Sequence, residues 1–249
     1  MQGLSGRVAL VTGAGRGIGR AICQAYGAAG AKVAAVARST DELESIVGDI
    51  REAGGTAEAF TADLSDPAVP ETLLASVNES LGPVEVLVNN AGVGSSSDPK
   101  PLVEFDDEFW RLTLEVNLNA PYRLTKLALP AMIAAGWGRV ITVASINSRV
   151  GSLHGAAYAA SKHAVHGLSE TLRQEYAGRG IRVSEILPGM VKTDFAKTRF
   201  SDAEKGDAYY ENYGLCLEAE DIARSVLFAL EQPPHVVVSQ IVIVPDNAG

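Results

Sequence analysis

A tyrosine and a lysine that could move a proton together lie one helical turn apart, at Tyr158 and Lys162. The surrounding sequence is strongly helical, so both side chains are expected on one face of a helix. A tyrosine ordinarily has a pKa of about 10, and a neighbouring ammonium favours the phenolate and lowers that pKa. Ser145 follows an apolar run and could hydrogen-bond a substrate oxygen within reach of Tyr158. These residue types predict general acid–base chemistry at an oxygen atom.

A glycine-rich segment near the start of the chain could hold a phosphate. Segment 12–19 reads TGAGRGIG and lies between an apolar run and a helical stretch. Glycines allow a tight turn and a close approach of the backbone to a pyrophosphate, while a helix N-terminus offers free N–H groups and a partial positive charge. The spacing is T-G-x-x-x-G-x-G, not the common G-x-G-x-x-G. It predicts a dinucleotide site, with a glycine turn that binds nothing as the alternative.

The elements that must position these residues follow a regular alternation along the chain. Strands are predicted at 7–11, 32–37, 57–62, 84–88, 139–143, 181–187 and 236–244. Helices are predicted at 18–29, 40–53, 67–81, 106–135, 157–177 and 220–230. This alternation predicts an α/β fold, a doubly wound parallel seven-stranded sheet with helices on both faces, which is the Rossmann fold. A single domain is predicted over 1–249, with a substrate lid around the irregular stretch 190–217.

The composition argues against several classes of function. A formal net charge of -9 disfavours binding to nucleic acid or to anionic membranes, which requires a basic face. Cys23 and Cys216 are far apart and suggest neither a disulfide nor a zinc site, so no metal is expected. Neither a secretory signal nor an apolar run of about 18 residues is visible, so we expect a cytoplasmic protein with no membrane partner.

Further motifs follow the glycine segment in a definite order. They are NNAG at 89–92, an asparagine at Asn117, a serine at Ser145, YAASK at 158–162 and PG at 188–189. This ordered set spans nearly the whole chain and resembles the short-chain dehydrogenases/reductases in their compact single-domain form. The resemblance implies a nicotinamide cofactor and hydride transfer between that cofactor and a carbonyl or alcohol.

The end of the second predicted strand distinguishes the two nicotinamide cofactors. An acidic residue there would bind the adenosine ribose hydroxyls and repel a 2′-phosphate, but this chain has Ala37 followed by Arg38. Arg16 lies in the glycine segment near the same ribose, and two guanidinium groups can hold a phosphate through forked hydrogen bonds. In the family, basic residues at these places accompany NADP preference. We therefore predict NADP(H), with two ordinary solvated arginines as the alternative.

The resemblance also implies roles for individual residues. Catalytic residues are expected at Asn117, Ser145, Tyr158 and Lys162. Cofactor contacts are expected at Gly13, Arg16, Gly17, Ile18, Gly19, Arg38, Asp63, Leu64, Asn90, Ala91, Gly92, Tyr158, Lys162, Pro188, Gly189, Val191 and Thr193. Within the first set, Lys162 also binds the nicotinamide ribose, and Asn117 holds a water that continues a proton relay. Alternatively, Asn117 is a buried amide bonded to backbone, Asp63 belongs to the turn before a helix, and Thr193 caps one.

The expected reaction is the reversible NADPH-dependent reduction of a ketone or other carbonyl to a secondary alcohol, as in the 3-oxoacyl reductases of the family. The alternatives are an alcohol dehydrogenase that works mainly in the oxidative direction and a protein that senses NADP without turnover. The expected partners are a small-molecule carbonyl or alcohol substrate and further copies of the chain, as a tetramer or dimer packed through 106–135 and 157–177. Candidates for the lid, or for that interface, are Met190, Phe195, Tyr209, Tyr210 and Tyr213.

Overall fold

The fold is taken from a computed structural model that describes residues 3–94, 100–195, 204, 208, 210, 211 and 214–247. The strands are β1 (Val8–Thr12), β2 (Lys32–Ala37), β3 (Thr56–Thr61), β4 (Val86–Asn89), β5 (Gly138–Val143), β6 (Ile181–Pro188) and β7 (Gln240–Ile243). The helices are α1 (Gly17–Ala28), α2 (Thr40–Glu52), α3 (Val69–Ser80), α4 (Asp107–Leu114), α5 (Ala120–Ala135), α6 (Ala156–Glu175) and α7 (Ala219–Leu230). Short 3₁₀ turns cover Leu102–Glu104 and Ile146–Ser148.

The strands form one parallel sheet in the order β3-β2-β1-β4-β5-β6-β7. The order reverses direction between β1 and β4, and ligands of open α/β sheets bind at such a point, beyond the carboxyl ends of the strands. The register brings those ends into line, because Val11 pairs with Val88, Asn89 with Thr142 and Val143 with Ile186. We call this line of strand ends the carboxyl edge, and the opposite line the amino edge.

Apolar side chains cover the sheet on both faces, which explains why the central strands carry few polar residues. One face packs against α1, α2 and α7 through residues such as Ile22, Ile46 and Ile222. The other packs against α3, α5 and α6 through residues such as Val77 and Leu124. Two hydrophobic cores, one on each face of the sheet, therefore hold the strands whose ends form the carboxyl edge.

Two elements differ from the prediction. The helical region expected at 106–135 is interrupted, because Glu115–Asn119 forms a π-helical turn between α4 and α5. The strand expected at 236–244 is only Gln240–Ile243. Side chains rather than a strand ladder hold much of the chain before β7, since Arg182 donates to the carbonyls of Gln232 and Pro233 at 2.9 and 2.8 Å.

Candidate active site

Thr12, at the end of β1, joins the glycine segment to the residues that follow β4. Its hydroxyl accepts hydrogen bonds from the backbone N–H groups of Asn90 and Ala91, both at 3.0 Å, and donates to the carbonyl of Val88 at 3.1 Å. The amide of Asn90 donates to the carbonyl of Thr12 at 2.8 Å. Asn90 and Ala91, which were expected to contact the cofactor, therefore make contacts that tie the end of β4 to the end of β1.

The glycine segment has the shape of an anion cradle. Gly13 and Gly17 have φ angles of 67° and 51°, which L side chains rarely adopt. A Cβ atom at Gly19 would collide with the carbonyl oxygen of Gly13, so the backbone must pass this closely. Within the described part of the chain, no side chain caps the N-terminus of α1. Its first N–H groups, and with them Ile18, therefore face outward as a pyrophosphate would require, and the segment fits a dinucleotide.

The two predicted phosphate-binding arginines have acidic neighbours. The Nη1 atom of Arg16 lies 3.2 Å from Oε1 of Glu42, a residue in the first turn of α2. Arg38 is exposed, and its charge helps to lower the pKa of Asp63, although the backbone hydrogen bond from Ser65 is the larger cause. The sequence analysis missed Glu42, yet its position was visible as an acidic first-turn residue, where the helix dipole favours negative charge.

Asp63 and its neighbour have local roles in the structure. The Oδ1 atom of Asp63 accepts from the backbone and the hydroxyl of Ser65 at 3.0 and 2.8 Å, which is the turn role offered as its alternative. Leu64 is buried in the core beneath α3. A cofactor contact by either residue stays a prediction.

The reacting residues meet at the carboxyl edge between β5 and α6. The hydroxyl of Ser145 hydrogen-bonds Tyr158, and its oxygen also accepts from the backbone of Asn147 at 3.1 Å. Lys162 donates from Nζ to the carbonyl of Val143 at 3.0 Å, and Nζ lies 5.6 Å from the ring centroid of Tyr158. The structure thus brings together the three side chains that spacing placed on one helix face and one strand end.

Burial governs the protonation of this group. It raises the pKa of Tyr158, and the hydrogen bond with Ser145 acts in the opposite direction. It also lowers the pKa of Lys162 to about 8, against the charge of Glu185, which raises it. The net pKa of Tyr158 is therefore raised in this structure, because removal of the phenol from water outweighs the hydrogen bond with Ser145.

Asn117 occupies the π-helical turn, a distortion that often marks functional sites. Its Oδ1 accepts from the backbone of Val93 at 2.8 Å, and its Nδ2 donates to the carbonyl of Val93 at 2.9 Å and to the hydroxyl of Ser161 at 3.1 Å. The side chain therefore makes the buried, backbone-bonded contacts given as the alternative, and a role in holding water stays a prediction. A Cβ at Gly92 would lie 3.3 Å from Oδ1, so this glycine also borders Asn117.

The segment after β6 returns to the glycine cradle. Gly189, after Pro188, donates from its backbone to Ile243 at 2.7 Å, and Val191 pairs with Leu217. The side chain of Thr193 faces the backbone of the cradle, because a Cβ at Gly17 would lie 3.1 Å from the Cβ of Thr193. The Thr193 hydroxyl accepts from the backbone of Phe195 at 3.3 Å, which fits its alternative capping role equally well.

The proposed lid is only partly described. Met190 is half-buried, Phe195 is exposed and Tyr210 is buried, whereas Tyr209 and Tyr213 lie outside the described residues. The part of the substrate loop at 95–99 lies outside them too. No helix within the described ranges is long and apolar enough to cross a membrane, and the same residues contain no cluster of side chains suited to a metal ion.

Comparisons with known proteins agree with this geometry. A family model described as short chain dehydrogenase matches residues 7–204. The 3-oxoacyl-[acyl-carrier-protein] reductase FabG of Escherichia coli is 36% identical over 223 residues, 90% of this chain and 89% of the relative. A metagenomic short-chain oxidoreductase solved with NADP shares 35% identity and a TM-score of 0.83 over 98% of this chain and 99% of its own. An actinorhodin polyketide ketoreductase solved with NADPH shares 34% identity and a TM-score of 0.85, covering 96% of both chains.

These similarities confirm the predicted family and fold, and the predicted cofactor, NADP(H), is the one bound by both solved relatives. The predicted class of enzyme is confirmed as well. The chain belongs to the short-chain dehydrogenase/reductase family, and it is an NAD(P)-dependent oxidoreductase acting on CH–OH or carbonyl groups.

Proposed function

We propose that this protein is an NADPH-dependent reductase that converts a ketone to a secondary alcohol, with Tyr158 as the proton donor. The observation that carries the proposal is the hydrogen-bonded Ser145–Tyr158 pair with Lys162 beside it, placed where the sheet order reverses. The relatives named for ketoreduction support a carbonyl substrate, and the NADP-bound relatives support the cofactor.

The residues of the chain have separate tasks in this reaction. NADPH, when bound, supplies the hydride that reaches the carbonyl carbon. Ser145 holds the carbonyl oxygen by a hydrogen bond, and Tyr158 gives its phenolic proton to that oxygen as negative charge develops there. Lys162, as a cation, stabilises the phenolate that remains. A donor hydroxyl, a proton source and a cation therefore surround one oxygen atom.

The protonation state of Tyr158 suits the role of proton donor. A proton donor must enter the reaction as a phenol, whereas oxidation of an alcohol needs a phenolate. Burial raises the pKa of Tyr158, so the phenol is its resting form at neutral pH. Arg38 supports the choice of NADPH, because it is exposed directly after β2 and could bind a 2′-phosphate there.

The test is a steady-state assay that follows NADPH absorbance with a panel of small ketones and 3-oxoacyl thioesters, run in parallel with NADH and with the matching alcohols and NADP⁺. We expect the protein to reduce at least one class of ketone, and to oxidise NADPH faster than NADH in that reaction. Efficient oxidation of alcohols with negligible ketone reduction would support the dehydrogenase instead. Tight NADPH binding without turnover of any substrate would support the sensor.

We further propose that the protein is a homo-oligomer, a tetramer or dimer. Large apolar side chains are exposed on α5, including Tyr122, Leu127 and Ile133, and along α7 and the chain from β7, including Phe228 and Val242. Further copies of the chain would remove these apolar side chains from water, α5 and α7 lying on opposite faces of the sheet. Light scattering coupled to size-exclusion chromatography tests this, and a monomer at micromolar concentration would contradict it.

A further inference from the structure

A carboxylate lies inside the sheet, away from the groups that touch substrate. Glu185 sits in β6 between β5 and β7, and its side chain is 0% exposed. Its strand is otherwise almost entirely apolar or small, reading IRVSEILP. An ionised carboxylate in such a place is costly unless donors and cations surround it.

Three donors converge on one oxygen of this carboxylate. The Nδ1 atom of His166 donates to Oε2 of Glu185 at 2.8 Å, and the amide nitrogen of Gln240 donates to the same atom at 2.9 Å. The guanidinium of Arg173 lies 3.6 Å from it. The second oxygen, Oε1, has no hydrogen-bond partner among the described residues. Helix α6 and strand β7 therefore place two hydrogen-bond donors and a guanidinium around one oxygen of Glu185.

The same helix face carries Lys162, one turn before His166. Lys162 is 5% exposed, and its ammonium has a single described hydrogen bond, to the carbonyl of Val143. Val143, whose carbonyl accepts from the Lys162 ammonium, pairs across the sheet with Ile186, the residue after Glu185. Burial lowers the pKa of Lys162, and the negative charge of Glu185 acts against that shift. Glu185 does not touch the reacting group, so any effect on catalysis must pass through Lys162.

We propose that Glu185 is a positioning residue of the enzyme, whose buried carboxylate keeps Lys162 cationic at the pH of catalysis. The proposal rests on the proposed function only for its kinetic consequence, because the charge of Lys162 can be measured without turnover. His166, Arg173 and Gln240 serve as the anchors that hold Glu185 in place.

The charged and titratable groups around Lys162 and Glu185 determine whether a substitution raises or lowers the pKa of Lys162. From α6, Tyr158 faces Lys162, while His166 and Arg173 face Glu185. From β7, Gln240 faces Glu185 and is itself bound by Arg149, from the loop after β5. Removal of the carboxylate leaves Lys162 among cations and neutral groups, so its proton should leave at lower pH. Removal of Arg173 should have the opposite effect.

The direct test is an NMR titration of protein labelled with 13Cε-lysine, without cofactor, from pH 6 to 10, with the Lys162 signal assigned by its loss in Lys162→Arg. In Glu185→Gln we expect the titration midpoint of Lys162 to fall by about one pH unit, which is a tenfold change in its protonation equilibrium. The decline of NADPH-dependent ketone reduction at high pH should move by the same interval, with activity at pH 6.5 kept within about twofold.

Glu170→Gln is the matched control, because Glu170 lies on the same helix 3.6 Å from His166 but is exposed to solvent. It should leave the Lys162 midpoint unchanged. Arg173→Met should raise the midpoint, and it decides the question if Glu185→Gln does not fold. An unchanged Lys162 midpoint in a folded Glu185→Gln, or no upward shift in Arg173→Met, would overturn the proposal. A shifted midpoint in a protein that reduces no ketone would leave this inference standing and sink the proposed function.

Discussion

Lys162 at the carboxyl edge of the sheet and Arg139 at its amino edge, where Arg182 is buried as well, are buried cations with different contacts. Lys162, at the carboxyl edge, is 5% exposed, and Arg139, at the amino edge, is 7% exposed. Burial lowers the pKa of both, to about 8 for Lys162 and to about 10 for Arg139, where nearby Arg182 and Arg7 add to the effect. The same desolvation therefore leaves one cation able to lose its proton near working pH and the other charged.

The contacts of the two cations explain the difference. Arg139 donates to the carbonyls of Gly138 and Gly180 at 2.7 and 3.0 Å, and its guanidinium lies 4.2 Å from the ring centroid of Trp137, which Arg7 also contacts. A planar guanidinium can satisfy several fixed acceptors and stack at the same time. Lys162 makes one hydrogen bond among the described residues, so two of the three N–H groups of its ammonium have no acceptor there. We therefore expect Arg139, at the amino edge, to stabilise the fold and Lys162, at the carboxyl edge, to take part in the reaction.

The largest expected effect tests whether the proton donor of the reaction lies at the carboxyl edge, beside Lys162. Tyr158→Phe removes the proton donor but keeps the ring, so ketone reduction should fall about 10²- to 10⁴-fold while NADPH still binds. Steady-state rates and NADPH fluorescence titration measure the two quantities. Tyr176→Phe, at the end of the same helix, is the matched control and should keep full activity. Substantial turnover by Tyr158→Phe would remove Tyr158 from the reaction.

A smaller effect is expected at the adenosine end of the carboxyl edge. Ala37→Asp combined with Arg38→Ala places a carboxylate near the ribose and removes a phosphate donor, so the NADPH/NADH preference should move towards NADH by about 10- to 100-fold. The ratio of kcat/KM for the two cofactors measures the shift. Lys32→Ala removes an exposed cation from the opposite end of β2 and should leave the ratio unchanged. An unmoved ratio in the double variant would mean that Arg16, despite its pairing with Glu42, selects the cofactor.

The fold, and the elements on which the candidate site residues lie, were predictable from the sequence because local rules determine them. The apolar runs that became β1, β4 and β5 can only be covered strands, and Tyr158 and Lys162 share a helix face by periodicity alone. The bounds of β2 were predicted without error. Patterns of this kind need no knowledge of what lies across the molecule.

The features that escaped prediction depend on contacts between distant segments. The amino-acid composition of Glu115–Asn119 does not distinguish a π-helical turn from an α-helix. Asn117, within this turn, is hydrogen-bonded to Val93 and Ser161. The partners of Glu185 come from a helix and from the last strand. A glutamate within an apolar strand indicates that hydrogen-bond donors lie close to its carboxylate. The identity of those donors, however, depends on the tertiary fold. The segment before the shortened β7 likewise contacts distant residues, because arginines of β6 and α6 donate to the carbonyls of Gln232, Pro233 and Ser239.

The pH dependence of the native enzyme gives the next effect. Lys162 has a pKa of about 8, below its ordinary value, so the cation that supports Tyr158 is present below pH 8 and is lost above it. Initial rates of ketone reduction with saturating NADPH should therefore be level from about pH 6.5 to 7.5 and about tenfold lower one unit above the pKa. Rates that stay level to pH 10 would show that Lys162 remains charged, as Arg139 does, and would remove the contrast between the two edges.

The smallest expected effect on turnover comes from the amino edge. Arg139→Met removes the donor from two carbonyls and a cation from the face of Trp137, so the free energy of unfolding should fall by about 1–3 kcal/mol. Urea unfolding followed by circular dichroism measures this loss. The rate of ketone reduction and its pH profile should match those of the native enzyme, because no element of the carboxyl edge moves. A changed pH profile with unchanged stability would show that Arg139 acts on the reacting group across the sheet, and that the two buried cations form one electrostatic system.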